Sequence, residues 1–310
     1  MGKQVHDMTP NTGDVALILE GGGLRASYTA GAVVTLLVNN INFPKVYGIS
    51  AGTSHAVNYI SRDPRRTKVS FVDFVTYPHF GGIGTFLRGK GYFNASYLYE
   101  GIAQEVAGTD DPLAFDWDTF VKNPADVHVE AFDVDTGETV VWTKADMPTL
   151  YDMMIRVRAS SSMPIAMPNT MVDGRRFADG GLGTSWGIPL EAAQRDGFTK
   201  FFIVRTQPKE YRKQPIPEGE QHLLRSALRK HPLVAQRTIE RWSYYNEICD
   251  QIEALEAEGR AYVFYARDMA VSSHETDLAK LEESYRMGYA QAQSEVGAWK
   301  AFLRGAGASL

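Results

Sequence analysis

The sequence predicts an α/β fold, a mostly parallel central sheet with helices packed against it, on two observations. The first is an alternation. VALILE (15–20) is a short apolar run that stops at glycines, Leu24 to Val38 is apolar on nearly every side, VYGI (46–49) is a second short run, and AGTSHAVNYI (51–60) follows it as a helix. Strand, helix, strand, helix implies parallel strands joined by crossover helices, with ligand sites at the carboxyl ends of the strands. The second observation is where the glycines fall: EGGG (20–23) and GISAG (48–52) both lie at such ends.

The elements follow in order. The helix from Leu24 runs through Gly31, which weakens it without breaking it. Residues 76–98 mix glycines with Phe80, Ile83, Phe86, Leu87, Tyr92 and Phe93, a pattern that suits either a mobile apolar flap over an acyl pocket or a loop pinned by its aromatics. HVEAFDVDTGETVVWT reads as a hairpin around Asp135-Thr136-Gly137, and TMVDGRRFADGG as a tighter one turning at Asp173-Gly174 and delivering Asp179. Between them, TLYDMMIRVRAS suits a helix and SSMPIAMP a proline-broken loop. KFFIVRT (200–206) is another buried strand, and the loop QPKEYRKQPIPEGE after it marks the expected seam between a main domain, 1–210, and a mainly helical C-terminal extension, 211–310. In that extension Ile239, Trp242, Tyr245, Cys249, Ile252 and Leu255 form one helical stripe, YVFYA (262–266) a strand, and Tyr285, Tyr289, Ala292, Val296, Trp299 and Leu303 a stripe that packs against the main domain until Gly305 and Gly307 end it.

Size and charge bound the function. A chain of 310 residues with 44% hydrophobic content can bury a sizeable core. A net charge of -5 and a pI near 5.8 argue against a nucleic-acid partner. The dense basic cluster Arg62, Arg65, Arg66 and Lys68 reads as a solvated loop, and no site is assigned to it. The single cysteine, Cys249, excludes an intrachain disulfide and lies on the apolar stripe, so a buried structural thiol in a reducing, cytoplasmic setting is expected. Residues 1–14 lack the apolar stretch of a signal peptide, and nowhere do roughly 18 apolar residues run together, so any membrane contact is expected to be peripheral.

GISAG fits GxSxG, in which a serine sits on a strained strand-to-helix turn and small residues on either side let the chain fold back. Gly48, Ser50 and Gly52 occupy those positions, and the helix amino terminus favours negative charge near Ser50. Alone, the motif also suits a glycine-flanked structural turn. EGGGLRA adds a glycine run whose backbone N–H groups can converge on an oxyanion. The same run satisfies G-x-G-x-x-A through Gly21, Gly23 and Ala26, but from Gly21 to Arg62 there is no acid to bind a ribose, nor any GK[ST] for a phosphate loop.

Taken together, GGGLR, GISAG and ADGG in this order resemble the three motif blocks of the patatin-like phospholipases, over roughly residues 14–206. The resemblance implies a three-layer fold with helices on both faces of the sheet, and a serine acyl hydrolase working on lipid or acyl esters without cofactor or metal. It implies that Ser50 is the nucleophile, that Asp179 is its partner in a Ser-Asp dyad, and that Gly21, Gly22 and Gly23 with Arg25 form the oxyanion region. The later segment resembles a C-terminal extension carried by some bacterial members. One departure is Ala26, where the family commonly has glycine; a slightly altered glycine-loop geometry is expected.

A carboxylate is a poor base for a hydroxyl, so the dyad requires burial of Asp179 to raise its pKa and strengthen its bond to Ser50. Arg25 has a second reading, a structural charge paired with Glu20 or a carbonyl, and Asp179 a second reading as a turn residue. Two other functions remain open on the residues: an α/β-hydrolase whose triad would draw on His222, His231 or His274, although Glu20 stands where that fold carries the histidine of HGGG, and a non-catalytic lipid-binding or scaffold protein that uses its C-terminal helices. Head group, acyl length and oligomeric state depend on pocket and surface shape.

Overall fold

The computed structural model describes residues 7–77, 80–81, 94, 97, 106 and 108–310. β1 (Val15–Leu19) leads through a short 3-10 turn (Gly23–Arg25) into α1 (Ala26–Val38), and β2 (Lys45–Gly48) into α2 (Ala51–Ile60) and α3 (Pro64–Val69). Then come α4 (Trp117–Lys122), β3 (Asp126–Asp133), β4 (Thr139–Trp142), α5 (Leu150–Ser160), β5 (Thr170–Val172), β6 (Arg175–Asp179), α6 (Leu190–Arg195) and β7 (Lys200–Val204). The chain closes with α7 (Glu218–Ala227), α8 (Pro232–Ala257), β8 (Ala261–Phe264) and α9 (Leu278–Gly305).

Every residue of β1 is buried, as a strand covered on both faces requires. Its alternation sets the layers: Val15, Leu17 and Leu19 enter one core with α1, α2, α5 and α9, whereas Ala16 and Ile18 enter another with α6 and α8. β7 divides the same way, Phe202 and Val204 against Phe201 and Ile203. Helices therefore cover both faces of a sheet whose parallel strands run in the order β3-β2-β1-β7-β8.

β4, β5 and β6 are antiparallel additions, and their register matters most. Val129 of β3 pairs with Gly48 of β2 and with Trp142 of β4; two residues on, Ala131 pairs with Val140 of β4 and with Asp179 of β6. A strand has two edges, so β2 and β6 share one edge of β3, end to end and from opposite directions. β2 stops at Gly48 and β6 arrives at Asp179, which brings Asp179 beside the turn that follows β2. The turn feeding β6 is the expected tight one, with positive φ at Asp173 (50°) and Gly174 (79°).

Residues beyond 210 share both cores. β8 extends the sheet beside β7, α8 covers one face and α9 the other. α9 meets α1 backbone to backbone: a Cβ on Gly31 would lie 2.2 Å from Tyr289 N, and one on Gly288 2.0 Å from Tyr28 O. The glycine inside the first helix is thus a close-approach residue. The same contact corrects the expected stripe on α9. Its buried face is Leu281, Ser284, Gly288, Ala292, Trp299 and Leu303, while Tyr285, Tyr289 and Val296 flank it half-buried, because only small residues let the two helices approach so closely.

Two further expectations are corrected. On α8 the apolar stripe holds from Tyr245 through Cys249, Ile252 and Leu255, but Trp242 is exposed and Ile239 half-buried, because the amino-terminal half of the helix turns toward Trp186 and Phe132 through Arg237. The basic cluster is no solvated loop either: Arg62 and Arg66 are buried, Arg62 donating to Asn42 Oδ1 (2.7 Å) and the Leu37 carbonyl (3.2 Å), Arg66 to Asn58 and the Leu113 carbonyl. The proposed flap falls largely outside the described residues. Among those described, no helix is long and apolar enough to cross a membrane.

Candidate active site

Ser50 occupies the turn between β2 and α2 with φ 55° and ψ -124°, a conformation that residues other than glycine rarely adopt. The glycines around it make the turn possible. A Cβ on Gly48 would lie 2.4 Å from Gly52 O, and one on Gly52 2.1 Å from Leu19 O. The carboxyl end of α5 braces the turn: Ser50 N–H donates to Ser160 Oγ (3.1 Å), the same oxygen lies 3.0 Å from Thr53 Oγ1, and Thr53 donates to the Gly48 carbonyl (2.8 Å).

Asp179, at the end of β6, is 6% exposed. Its N–H donates to the Ser162 carbonyl (2.9 Å) and its carboxylate accepts from Gly181 N–H (2.8 Å), while the Ser50 hydroxyl lies near enough to that carboxylate to favour its charged form. The Arg241 guanidinium lies over the adjoining backbone, where Cβ atoms on Gly181 and Gly187 would come within 2.6 and 2.7 Å of its Nη2. Burial raises the Asp179 carboxyl above its ordinary value, and it prevails over Arg241, Ser50 and Gly181, which act in the opposite direction.

The glycine loop touches the same spot: a Cβ on Gly21 would lie 3.2 Å from Ser50 Cβ. Glu20 anchors the loop, its carboxylate accepting from Arg205 Nε (2.9 Å), Thr206 N–H (2.6 Å) and Tyr245 Oη (2.6 Å). Burial alone would raise Glu20, but Arg205 and the bonds from Tyr245 and Thr206 together hold it below its ordinary value. Glu20 is therefore committed to Arg205, so Arg25 does not take Glu20 as the partner its alternative structural reading offered; among the described residues Arg25 Nε is buried without a hydrogen-bond partner. The expected trio of donors also narrows. Gly21 N–H donates to the Gly187 carbonyl (3.1 Å), whereas the N–H groups of Gly22 and Gly23 have no partner among the described residues. Gly23 has φ 57° and packs on the Ser273 carbonyl, which accepts from Leu24 N–H (3.0 Å).

Residues 17–193, more than half of the chain, match the patatin-like phospholipases. The chain belongs to that family. Residues 231–304 match a domain of unknown function, DUF6363. An uncharacterized protein of Escherichia coli K12, YjjU, is 25% identical over 291 residues, covering 89% of this chain and 75% of its own. The crystal structure of VipD from Legionella pneumophila aligns with 92% of this chain and 67% of its own at a TM-score of 0.49 and 12% identity.

In this patatin-like chain an apolar cavity opens at Ser50, lined by Leu24, Val57, Phe71, Phe74, Met154 and Met163 among others. Arg66 and Phe80 reach it too. Of the late histidines, His222 is exposed on α7, His231 directly precedes α8, and His274 stands at the glycine loop, its Nδ1 3.0 Å from Ser273 Oγ. Other residues of the site escaped the motif reading. Ser160 belongs to the run Ser160-Ser161-Ser162 ending a predicted helix, Glu20 and Arg205 each directly follow a buried strand, and Arg241 lies one turn ahead of Tyr245, a cation beside an apolar stripe. Each carried a signal in its position, though none in a motif.

Proposed function

We propose that this protein is a serine acyl hydrolase of lipid esters, of phospholipase A or lysophospholipase type, with Ser50 as nucleophile and Asp179 as its base. The observation that supports the reading best is that the sheet register brings the buried carboxylate of Asp179 beside the strained turn holding Ser50, near enough for the two side chains to interact. In this reading Ser50 Oγ attacks the ester carbonyl while Asp179 takes its proton, and the Gly22 and Gly23 N–H groups receive the developing oxyanion. Asp179 then returns the proton to the leaving alcohol, and water cleaves the acyl-enzyme by the same route in reverse. The apolar cavity takes the acyl chain, and contact with a membrane surface is peripheral.

Hydrolysis of a short-chain chromogenic ester and of a lysophospholipid between about pH 6 and about pH 9 tests this. Turnover is expected, falling by about 10³ or more in Ser50→Ala and in Asp179→Asn. Asp179 must be ionised to accept the proton, so activity is lost as pH falls through its raised value. Single alanine variants of His222, His231 and His274 are expected to remain active; collapse of any one would favour a triad, and no turnover at all by the wild type would favour a binding protein.

A further inference from the structure

Two cations from outside the patatin match gather near the glycine loop: Arg241, from α8 within the domain of unknown function, borders Asp179, and Lys213, from the segment ahead of α7, is close enough to Arg241 and Arg25 to feel their charge. Arg241 packs over Gly181 and Gly187, and its Nε donates to the Trp186 carbonyl (3.3 Å). Because Gly187 also accepts from Gly21, Arg241 sits at the glycine loop as well. One turn along α8, Tyr245 presents its ring to Lys213, whose Nζ lies 4.5 Å from the ring centroid and 5.7 Å from that of Tyr211. The Lys213 backbone is clamped to α8, donating to Asn246 Oδ1 (2.8 Å) and accepting from Asn246 Nδ2 (3.0 Å). Arg25, at the end of the glycine turn, completes the group, near enough to Lys213 to repel its charge.

Neighbouring cations are paired with acids, whereas of these three only Arg241 has an acid beside it, Asp179. Lys209 pairs with Glu256, and Arg212 with Asp250 and Glu253. Among the described residues Arg25, Lys213 and Arg241 form no salt bridge, and Glu20, the acid facing Lys213, is committed to Arg205. Crowding like charges on a half-buried rim is unfavourable unless something anionic joins them. None of the three lines the apolar cavity at Ser50, which leaves that cavity to an acyl chain.

We propose that Arg25, Lys213 and Arg241 form a subsite for a phosphate-bearing head group, through which the C-terminal segment makes the enzyme select anionic over neutral or zwitterionic lipid esters. This rests on the acyl-hydrolase reading of Ser50. It gives the domain of unknown function a specific task, supplying Arg241 to the head-group side of the site. The subsite is pH-sensitive: burial, with repulsion from Arg241 and Arg25 outweighing attraction to Glu20 and Cys249, lowers the Lys213 ammonium to about 8. Above that pH the rim loses a charge.

The test is kcat/KM for lysophosphatidate, lysophosphatidylcholine and monoacylglycerol with one acyl chain, as monomers, in wild type, Lys213→Gln and Lys213→Arg. Wild type at pH 7 is expected to prefer lysophosphatidate to monoacylglycerol by about tenfold or more. Lys213→Gln should lose most of that preference and Lys213→Arg keep it, and raising the pH from 7 to 9 should erode it in wild type but not in Lys213→Arg. An equal ratio in wild type and Lys213→Gln overturns the subsite while leaving the hydrolase reading standing; no hydrolysis of these lipids or of a short-chain ester by wild type sinks both. Inorganic phosphate competing with lysophosphatidate in wild type but not in Lys213→Gln supports head-group binding. Phosphate altering monoacylglycerol turnover, with no preference for lysophosphatidate, would assign the rim to a free anion and overturn the proposal.

Discussion

Burial raises the Asp179 carboxyl, as the proposed role of base requires, and the same burial costs the fold. Between the ordinary carboxylate value of 3.8 and the raised native one, the folded state binds more protons than the unfolded chain, so stability falls as pH rises through that window and stays lower above it. Asp179→Asn keeps the shape without the charge. It is expected to raise the urea midpoint at pH 7 while abolishing turnover, the signature of a residue kept for chemistry at the expense of stability. Glu20 should behave in the opposite way. Glu20→Gln leaves Arg205, 1% exposed, without its counter-charge, and a loss of about 3–5 kcal/mol in urea unfolding is expected. At this scale the sequence was legible where backbone conformation demands a residue type: Gly48, Gly52 and the glycine loop announce their turns. Arg205, Ser160 and Arg241 carried only a positional signal, because what recommends them is a partner far along the chain.

Elements were legible wherever the pattern within a segment decides the outcome. The buried strands, both hairpins and the helices after each glycine cluster follow from periodicity and turn chemistry. Which face of a helix packs was less so when the neighbour sets the terms. α9 presents Ser284, Gly288 and Ala292 to α1 instead of its tyrosines because the closeness of two backbones, invisible from one segment, selects small side chains. Gly288→Ala is accordingly expected to destabilise the protein by about 1–3 kcal/mol, despite improving intrinsic helix propensity, and thermal or urea unfolding would register it. A neutral or stabilising result would mean that α1 and α9 lie farther apart than described.

For the molecule as a whole, the sheet joins chain segments that the sequence divides at a loop. β8 pairs with β7, α8 and α9 cover opposite faces, and Tyr245 closes on Glu20 at the foot of the glycine loop. A fragment ending at residue 210 would expose both faces and one edge of the sheet, and its urea unfolding is expected to lack a cooperative transition. The C-terminal segment thereby supports the active-site framework as well as bordering it. Reaction with a fluorophosphonate, followed by intact mass and peptide mapping, addresses the chemistry at the centre of that framework directly. A single adduct on Ser50, formed at least about a hundredfold more slowly in Asp179→Asn, is the predicted result; labelling of another residue, or an unchanged rate in that variant, would contradict the assignment of Ser50 and Asp179 as the reacting pair.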